Sequence, residues 1–324
     1  MNLNLRVLRG GLLAAVVLAV TACAPMSYGV KAPTPSGLKY ESVAQTKTDI
    51  SLIDSRPEKE RVFSSGVLPA TLMVDNVPLD APQFLAFHLQ RELESRGVPV
   101  QVSKDGKGMP QINLATFRIQ NHRATGFSPF VTLTFLSADL ETAQGKKRLG
   151  VFVKAGKVPV WSFDEVIEPT FNQPLSIAVK ELASKIAVQM HGYRASDSAV
   201  DGLVAKLAQR SPASFLDVYA LGMTNNPKAI DAVLKLIDDN DEYVRLAAIS
   251  SLGNLRATAQ FDRLKALYQN RSNLWQDRAM ALKSIGDLGT DQAKAFLAEE
   301  AKRYGDAPSG NEAVWNMQII KLYS

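Results

Sequence analysis

A two-residue step returns through the last third of the chain: Leu221-Gly222, Leu252-Gly253 and Ile285-Gly286, at intervals of 31 and 33 residues. A period in that range marks an α-solenoid, whose units bury their apolar faces only by stacking on one another. Further positions repeat in register. Arg245 and Arg278 lie 33 apart, Ala247-Ala248 answers Met280-Ala281, and Leu255 answers Leu288. Each unit reads as two helices. Asn226-Pro227 offers a cap and a first-turn proline ahead of Ile230, Val233, Leu234 and Ile237, spaced i, i+3, i+4 and i+7. Asp241 caps the partner helix, which places Val244, Ala248, Leu252 and Leu255 on one face. A glycine inside a helix costs about 1 kcal/mol relative to alanine, so its return at one register calls for a close helix approach.

Ser251-Leu252-Gly253 and the run Asp241 to Ala248 resemble the short bacterial form of HEAT repeat. The resemblance covers most of 197–305 and implies a protein-binding scaffold. Four helix pairs are expected over 197–324, beginning near Ala199, Pro227, Thr258 and Thr290. Gly310 to Tyr323 keeps the helical period but drops the Leu-Gly signal, as a terminal cap with one wet face should.

Upstream, over 46–195, the pattern changes to short alternating runs and two amphipathic helices. Strands are expected at Thr48–Asp54, Gly66–Val74, Val98–Val102, Gln111–Gln120, Phe130–Leu140, Leu149–Val153 and Val158–Phe163. The alternation of Gln111–Gln120 changes phase, which a β-bulge near Ala115-Thr116 would repair. One helix starts at the Asp80 cap, burying Phe84, Leu85, Phe87, His88, Leu89 and Leu93 and turning Glu92 outward; the other spans about Pro174–His191. The expected fold is therefore an α+β domain, a mostly antiparallel sheet with two helices, followed by an all-α solenoid. Ile53-Asp54-Ser55-Arg56-Pro57 and Leu89 to Val100 resemble the small domain of YajG-type lipoproteins and of auxiliary lipoproteins of lipid-export ABC systems. That resemblance implies binding or assembly and no chemistry.

The N-terminus states an address. Arg6 and Arg9 precede an apolar run, Leu12 to Val20, too short to span a bilayer of about 30 Å, and the run closes on Val20-Thr21-Ala22-Cys23. This resembles the lipobox of bacterial lipoproteins, which implies removal of residues 1–22 and acylation of Cys23. Cys23 is the only cysteine, and a cysteine consumed by lipid escapes the pairing that an exported thiol invites. Two or three acyl chains, at about 0.8 kcal/mol per buried methylene, hold to a bilayer far better than one. Ala24, where aspartate commonly retains such proteins in the inner membrane, points to the periplasmic face of the outer membrane in a Gram-negative cell. Proline and glycine at 25, 29, 33, 35 and 37 give residues 23–45 the composition of a flexible tether, with a first strand at Leu38 and Tyr40 as the alternative.

Charge excludes one class of partner. Residues 24–196 carry +4 and 197–324 carry −1, without the basic stripe of a nucleic-acid binder. Chemistry finds no foothold either. His88, His122 and His191 share no metal-ligand spacing, so neither a metal nor a cofactor is expected. His88 reads as a core residue, and His191 as a cation at a helix C-terminus. Gly106-Lys107-Gly108 reads as a loop, the adjacent pairs Asp164-Glu165 and Glu299-Glu300 as solvated carboxylates, and Lys146-Lys147-Arg148 as a hairpin turn that could touch anionic headgroups. Trp161 reads as core; Trp275 and Trp315 are open between core and binding anchor. The expected function is a non-catalytic, membrane-anchored scaffold that binds an unknown envelope protein through the concave face of its repeats. The alternative is a lipid- or substrate-binding auxiliary of an envelope transport system, and an enzyme using Asp164 or Glu165 is the weakest reading.

Overall fold

A computed structural model describes residues 26–41, 46–67, 69–125, 128–158 and 167–324. The expected lipid site, the leader, Trp161, Asp164 and Glu165 lie outside them.

Among the described residues nine strands form two sheets, more than the seven runs in the sequence suggest. β1 (Met26–Gly29), β4 (Ala70–Val74) and β5 (Val77–Pro78) make a three-stranded sheet in the order β1-β4-β5. The larger sheet runs β6-β2-β7-β8-β9, from β2 (Thr48–Asp54), β6 (Val100–Lys104), β7 (Gln111–His122), β8 (Phe130–Thr142) and β9 (Gly145–Val158). β3 (Ser64–Gly66) pairs with the far half of β7. The expectation of a mostly antiparallel sheet needs correcting. β2 is parallel to both β6 and β7, β3 to β7, and β1 to β4, while the long β7-β8-β9 meander is antiparallel. For β2 and β6 the cause is α1 (Ala81–Ser95), which carries the chain back across the sheet before β6 as a crossover connection does.

Local chemistry sets several boundaries. The Asp80 carboxylate accepts from the Gln83 amide at 3.0 Å and caps α1. The phase change in β7 is a bulge: Leu114 pairs with Ala138 and Thr116 with Ser137, leaving Ala115 unopposed. Pro69, which cannot donate to a ladder, stands between β3 and β4 where one strand was expected. The two strands expected at 149–153 and 158–163 start as one, because β9 runs unbroken through Lys154-Ala155-Gly156-Lys157. On α1, Phe87 is exposed and Glu92 buried, the reverse of the expectation. Glu92 shares its stripe with Leu85, His88 and Leu89, and Arg96 holds it there.

Residues 26–41 are not a tether. β1 hydrogen-bonds in parallel to β4, Tyr28 and Val30 are buried, and Tyr40 bridges to Ala195. Three buried side chains among the Pro and Gly supply contacts that composition alone does not show.

The second helix of the sheet region, α2 (Gln173–His191), packs on β8 and β9. Beyond it come α3 (Asp197–Leu207), α4 (Ser214–Gly222), α5 (Ile230–Leu234), α6 (Glu242–Asn254), α7 (Phe261–Gln269), α8 (Trp275–Leu288), α9 (Asp291–Tyr304) and α10 (Asn311–Ile320). The even-numbered helices α4, α6, α8 and α10 stack in a row; α5, α7 and α9 each lie against the even helix that follows them. The repeated glycine is what allows the row to close. A Cβ on Gly253 would stand 2.8 Å from Ser284 Cα on α8, and one on Gly222 would overlap Ser251 on α6. The same register at Gly286 meets the ring of Tyr323.

Spacing did not show where the row faces. β9 buries Leu149, Val151 and Val153 on one side and Phe152 and Lys154 on the other, so both its faces are covered. The second side meets the repeats: a Cβ on Gly150 would stand 2.8 Å from the Tyr323 ring, and Lys154 pairs with Glu242 at the start of α6. The sheet and the even helices share one continuous apolar core.

Gly253→Ala should therefore overpack the α6–α8 contact and cost about 1–3 kcal/mol in urea unfolding. Gly202→Ala, on α3 with nothing within 4 Å of its Cβ, should be neutral or gain about 0.5–1 kcal/mol.

Candidate functional site

The seam between sheet and repeats holds the most concentrated chemistry among the described residues. Glu181 and Lys185 stand one turn apart on α2, as do Lys283 and Asp287 on α8. Packing brings the pairs head to head. Lys185 Nζ lies 2.7 Å from Glu181 Oε1 and 2.6 Å from Asp287 Oδ1; Lys283 Nζ lies 2.8 Å from Glu181 Oε1 and 2.7 Å from Asp287 Oδ2. Each cation touches both acids, and the net charge is zero. Lys283 also donates to Ser250 Oγ at 2.7 Å and Asn254 Oδ1 at 3.1 Å, Lys185 to the Gly150 carbonyl, and the Tyr323 hydroxyl to Asp287 Oδ1 at 2.8 Å.

These charges are almost dry, with Glu181 and Lys283 fully buried. Desolvation alone would push the Glu181 carboxyl up, but Lys185 and Lys283 hold it below its ordinary value. Desolvation would likewise pull Lys283 down, and Asp287 and Glu181 raise it instead. Acid and base are thus driven away from neutrality in opposite directions. A general acid or base works best with a pKa near the working pH, so Glu181 and Lys283 are built to stay ionised, and the quartet holds α2 to α8.

A second buried network ties down the segment expected as tether. Arg96 donates through Nε to Glu92 at 2.7 Å, through a terminal nitrogen to the Lys180 carbonyl at 2.9 Å, and through the other to the Tyr40 hydroxyl. Tyr40 in turn donates to the Met223 carbonyl at 2.7 Å, beyond the end of α4. Ser36 completes the Glu92 shell with its amide at 2.9 Å and its hydroxyl. Residues 36–40 therefore strap α1, α2 and α4 together.

Beside the strap opens a cavity of about 340 Å³ between residues 31–38, α2 and α4. Pro33, Leu38, Ile177, Leu216 and Met223 make its walls largely apolar, and Lys180 stands in the wall without an ion-pair partner among the described residues. Desolvation lowers the Lys180 ammonium, with Glu92 acting against it.

The residues singled out by sequence scatter. His88 is buried against Phe84 and Phe87, its ring centroid 4.4 Å from the former, and its Nδ1 has no partner among the described residues. Desolvation, then the charge of Arg91, lowers it to about 4. His122 ends β7 against Trp315, whose ring lies tilted against Trp275 with centroids 4.7 Å apart; both tryptophans belong to the seam and the last repeats. His191 closes α2, where desolvation lowers its pKa and disfavours the cation expected there. Glu299 and Glu300 point apart, but Glu300 is buried and accepts from Tyr268, a correction to its solvated reading. Lys146 and Arg148 both pair with Asp139, at 2.9 and 2.6 Å, while Lys147 does not. The Asp54-Ser55-Arg56 step is a fork, with Arg56 on both Asp54 oxygens at 2.7 and 3.0 Å. Gly106-Lys107-Gly108 lies in the loop between β6 and β7. No three His, Cys, Asp or Glu among the described residues are placed to hold a metal ion. No described helix is long and apolar enough to cross a membrane.

Sequence reasoning missed the quartet. Its two i, i+4 pairs look like solvated surface pairs, and only the apolar neighbours Leu182, Ala281, Leu282 and Ile285 betray that their faces are buried.

The stacked helix pairs have a counterpart in a known family: residues 218–276 match the family model for HEAT repeats. No curated protein matches the chain. A crystal structure titled only as an uncharacterized protein is similar over 52% of this chain and 99% of its own, at 12% identity and a TM-score of 0.30.

Lys283→Met leaves two buried carboxylates facing one cation and should cost about 3–5 kcal/mol in denaturant unfolding; replacing Glu181, Lys185, Lys283 and Asp287 together by apolar residues should restore most of that. A pH series offers a separate check. His88, depressed from 6.5 to about 4, is protonated first in the unfolded chain. Its share of stability is complete above pH 6.5 and is lost as pH falls towards 4. His88→Phe should flatten that limb.

Proposed function

We propose that this chain is a lipid-anchored, non-catalytic scaffold of the cell envelope, in which sheet and repeats form one body and the partner docks on the outer helices. The observation that carries the scaffold is the stacked helix pairs whose central part matches HEAT repeats, modules that generally serve protein interaction. The geometry limits which faces of the repeats are open to a partner. The even row is already covered by the chain's own β9, α2 and Tyr323, so α3, α5, α7 and α9 remain available. Val204 on α3 and Leu274 ahead of α8 are apolar and exposed on the repeats.

Anchoring rests on the lipobox-like Val20-Thr21-Ala22-Cys23 and the absence of any second cysteine. Three peptide steps from Cys23 to Met26 reach about 11 Å at most, so an acylated Cys23 would hold the β1 end of the small sheet beside the bilayer. Localisation at the periplasmic face of the outer membrane follows from Ala24 in a Gram-negative cell. A second reading, a lipid- or substrate-binding auxiliary of a transport system, is favoured by the cavity beside Lys180, whose apolar walls and unpaired cation suit a small amphiphilic anion.

Cys23→Ala should leave export intact and abolish palmitate labelling and membrane retention; unchanged fractionation would defeat the anchor. Photocrosslinkers on α3 and α9 in intact envelopes should give one discrete protein adduct. Adducts confined to α8 positions would place the partner on the face assigned here to the sheet. Lipid retained through purification, and lost in Lys180→Met, would favour the second reading.

A further inference from the structure

A pocket of about 190 Å³ opens on the opposite flank of α2, where the β8–β9 hairpin meets the C-terminal ends of α6 and α8 and the start of α9. Its wall carries Lys146, Lys147, Arg148, Lys185, Arg256 and Lys294 against the single acid Asp287. Three of these cations are spoken for: Lys146 and Arg148 by Asp139, Lys185 by the quartet. The other three are not. Lys147 and Arg256 pair with no carboxylate among the described residues, and Lys294 makes only a 3.4 Å contact with the fully exposed Asp291. They come from three separate elements. Lys147 reaches across the seam, its Nζ 3.2 Å from where a Cβ on Gly289 would stand, and Arg256 follows α6 with a positive φ of 53°.

Helix dipoles explain part of this charge. The C-termini of α6 and α8 end at the pocket and each presents roughly −0.5 of a charge, together about −1. Lys147 and Arg256, with Lys294 held only by a solvent-screened contact to Asp291, leave a surplus of about +2 against that. A carboxylate would cancel half of it, whereas a phosphate monoester, near −2 at neutral pH, matches it. Volume narrows the choice further. With about 190 Å³ the pocket has room for a phosphate carrying a short substituent.

We propose that Lys147, Arg256 and Lys294 form a binding site for a phosphate group, free or carried on a small headgroup, at the junction of the hairpin with α6, α8 and α9. Because its walls come from both halves of the chain, the bound anion also bridges them.

Titration calorimetry of the full-length chain in mild detergent, at low salt, should show saturable one-to-one binding of inorganic phosphate or of dihexanoyl phosphatidic acid. Binding should weaken as salt is raised. Lys147→Gln, Arg256→Gln and Lys294→Gln should each weaken it roughly fivefold, the triple variant should abolish it, and Lys302→Gln on the exposed side of α9 should leave it unchanged. Tighter binding of the phosphatidic acid, displaced by phosphate, assigns a headgroup; tighter binding of phosphate assigns a soluble anion. Binding of neither probe overturns the proposal. So does equal binding by the triple variant or, should that variant lose its circular dichroism spectrum, by all three single variants.

Discussion

Two helices from different halves of the chain, α2 and α8, meet through four charges that sum to zero. Burying Glu181, Lys185, Lys283 and Asp287 costs several kcal/mol of desolvation per ion, and only a near-complete set of partners repays it. Ser250, Asn254, Tyr323 and the Gly150 carbonyl supply further partners, while Glu181 Oε2 has no hydrogen-bond partner among the described residues. The arrangement is specific in a way that apolar contact is not: sliding α8 by one turn along α2 would leave buried carboxylates facing each other. The ring thus acts as a register device, and the position of the whole helical stack against β9 follows from it.

That position turns a familiar architecture to another use. An α-solenoid ordinarily leaves one row of helices free to receive a partner. Here the even row receives the chain's own sheet, and β9 is covered on both faces as a result. Residues 36–40 close the other end of the contact, with Arg96 and Tyr40 joining α1, α2 and α4. The odd helices and the rims are left uncovered by the sheet, and the two cavities of the seam open beside α2.

How much of this was legible depended on the range of the interaction. The glycine register of the repeats could be read because Gly222 meeting Ser251 and Gly253 meeting Ser284 is one contact made twice, one period apart. The caps at Asp80 and Asp241 and the bulge at Ala115 were legible for the same reason: each is decided within a few residues. What failed was long-range. The strap hid under linker composition because its hold lies in the Tyr40 hydroxyl and Ser36, whose partners are at 92, 96 and 223. Glu92 was assigned to solvent because its partner Arg96, one turn on, is buried by Tyr40 and the Lys180 carbonyl, which lie far away in sequence. The quartet hid because two i, i+4 pairs look the same on a wet surface as in a dry seam, and the parallel strands hid because pairing direction depends on the crossover.

Hydrogen exchange of the native chain, read by mass spectrometry under rising denaturant, tests the union of the two halves most directly. If the seam makes them one cooperative unit, amides of α2, β9 and α8 open together at the free energy of global unfolding. Opening of α8 well below that level, while β7 and β8 remain protected, would mean that the repeats are a separate body resting on the sheet, and would contradict the account.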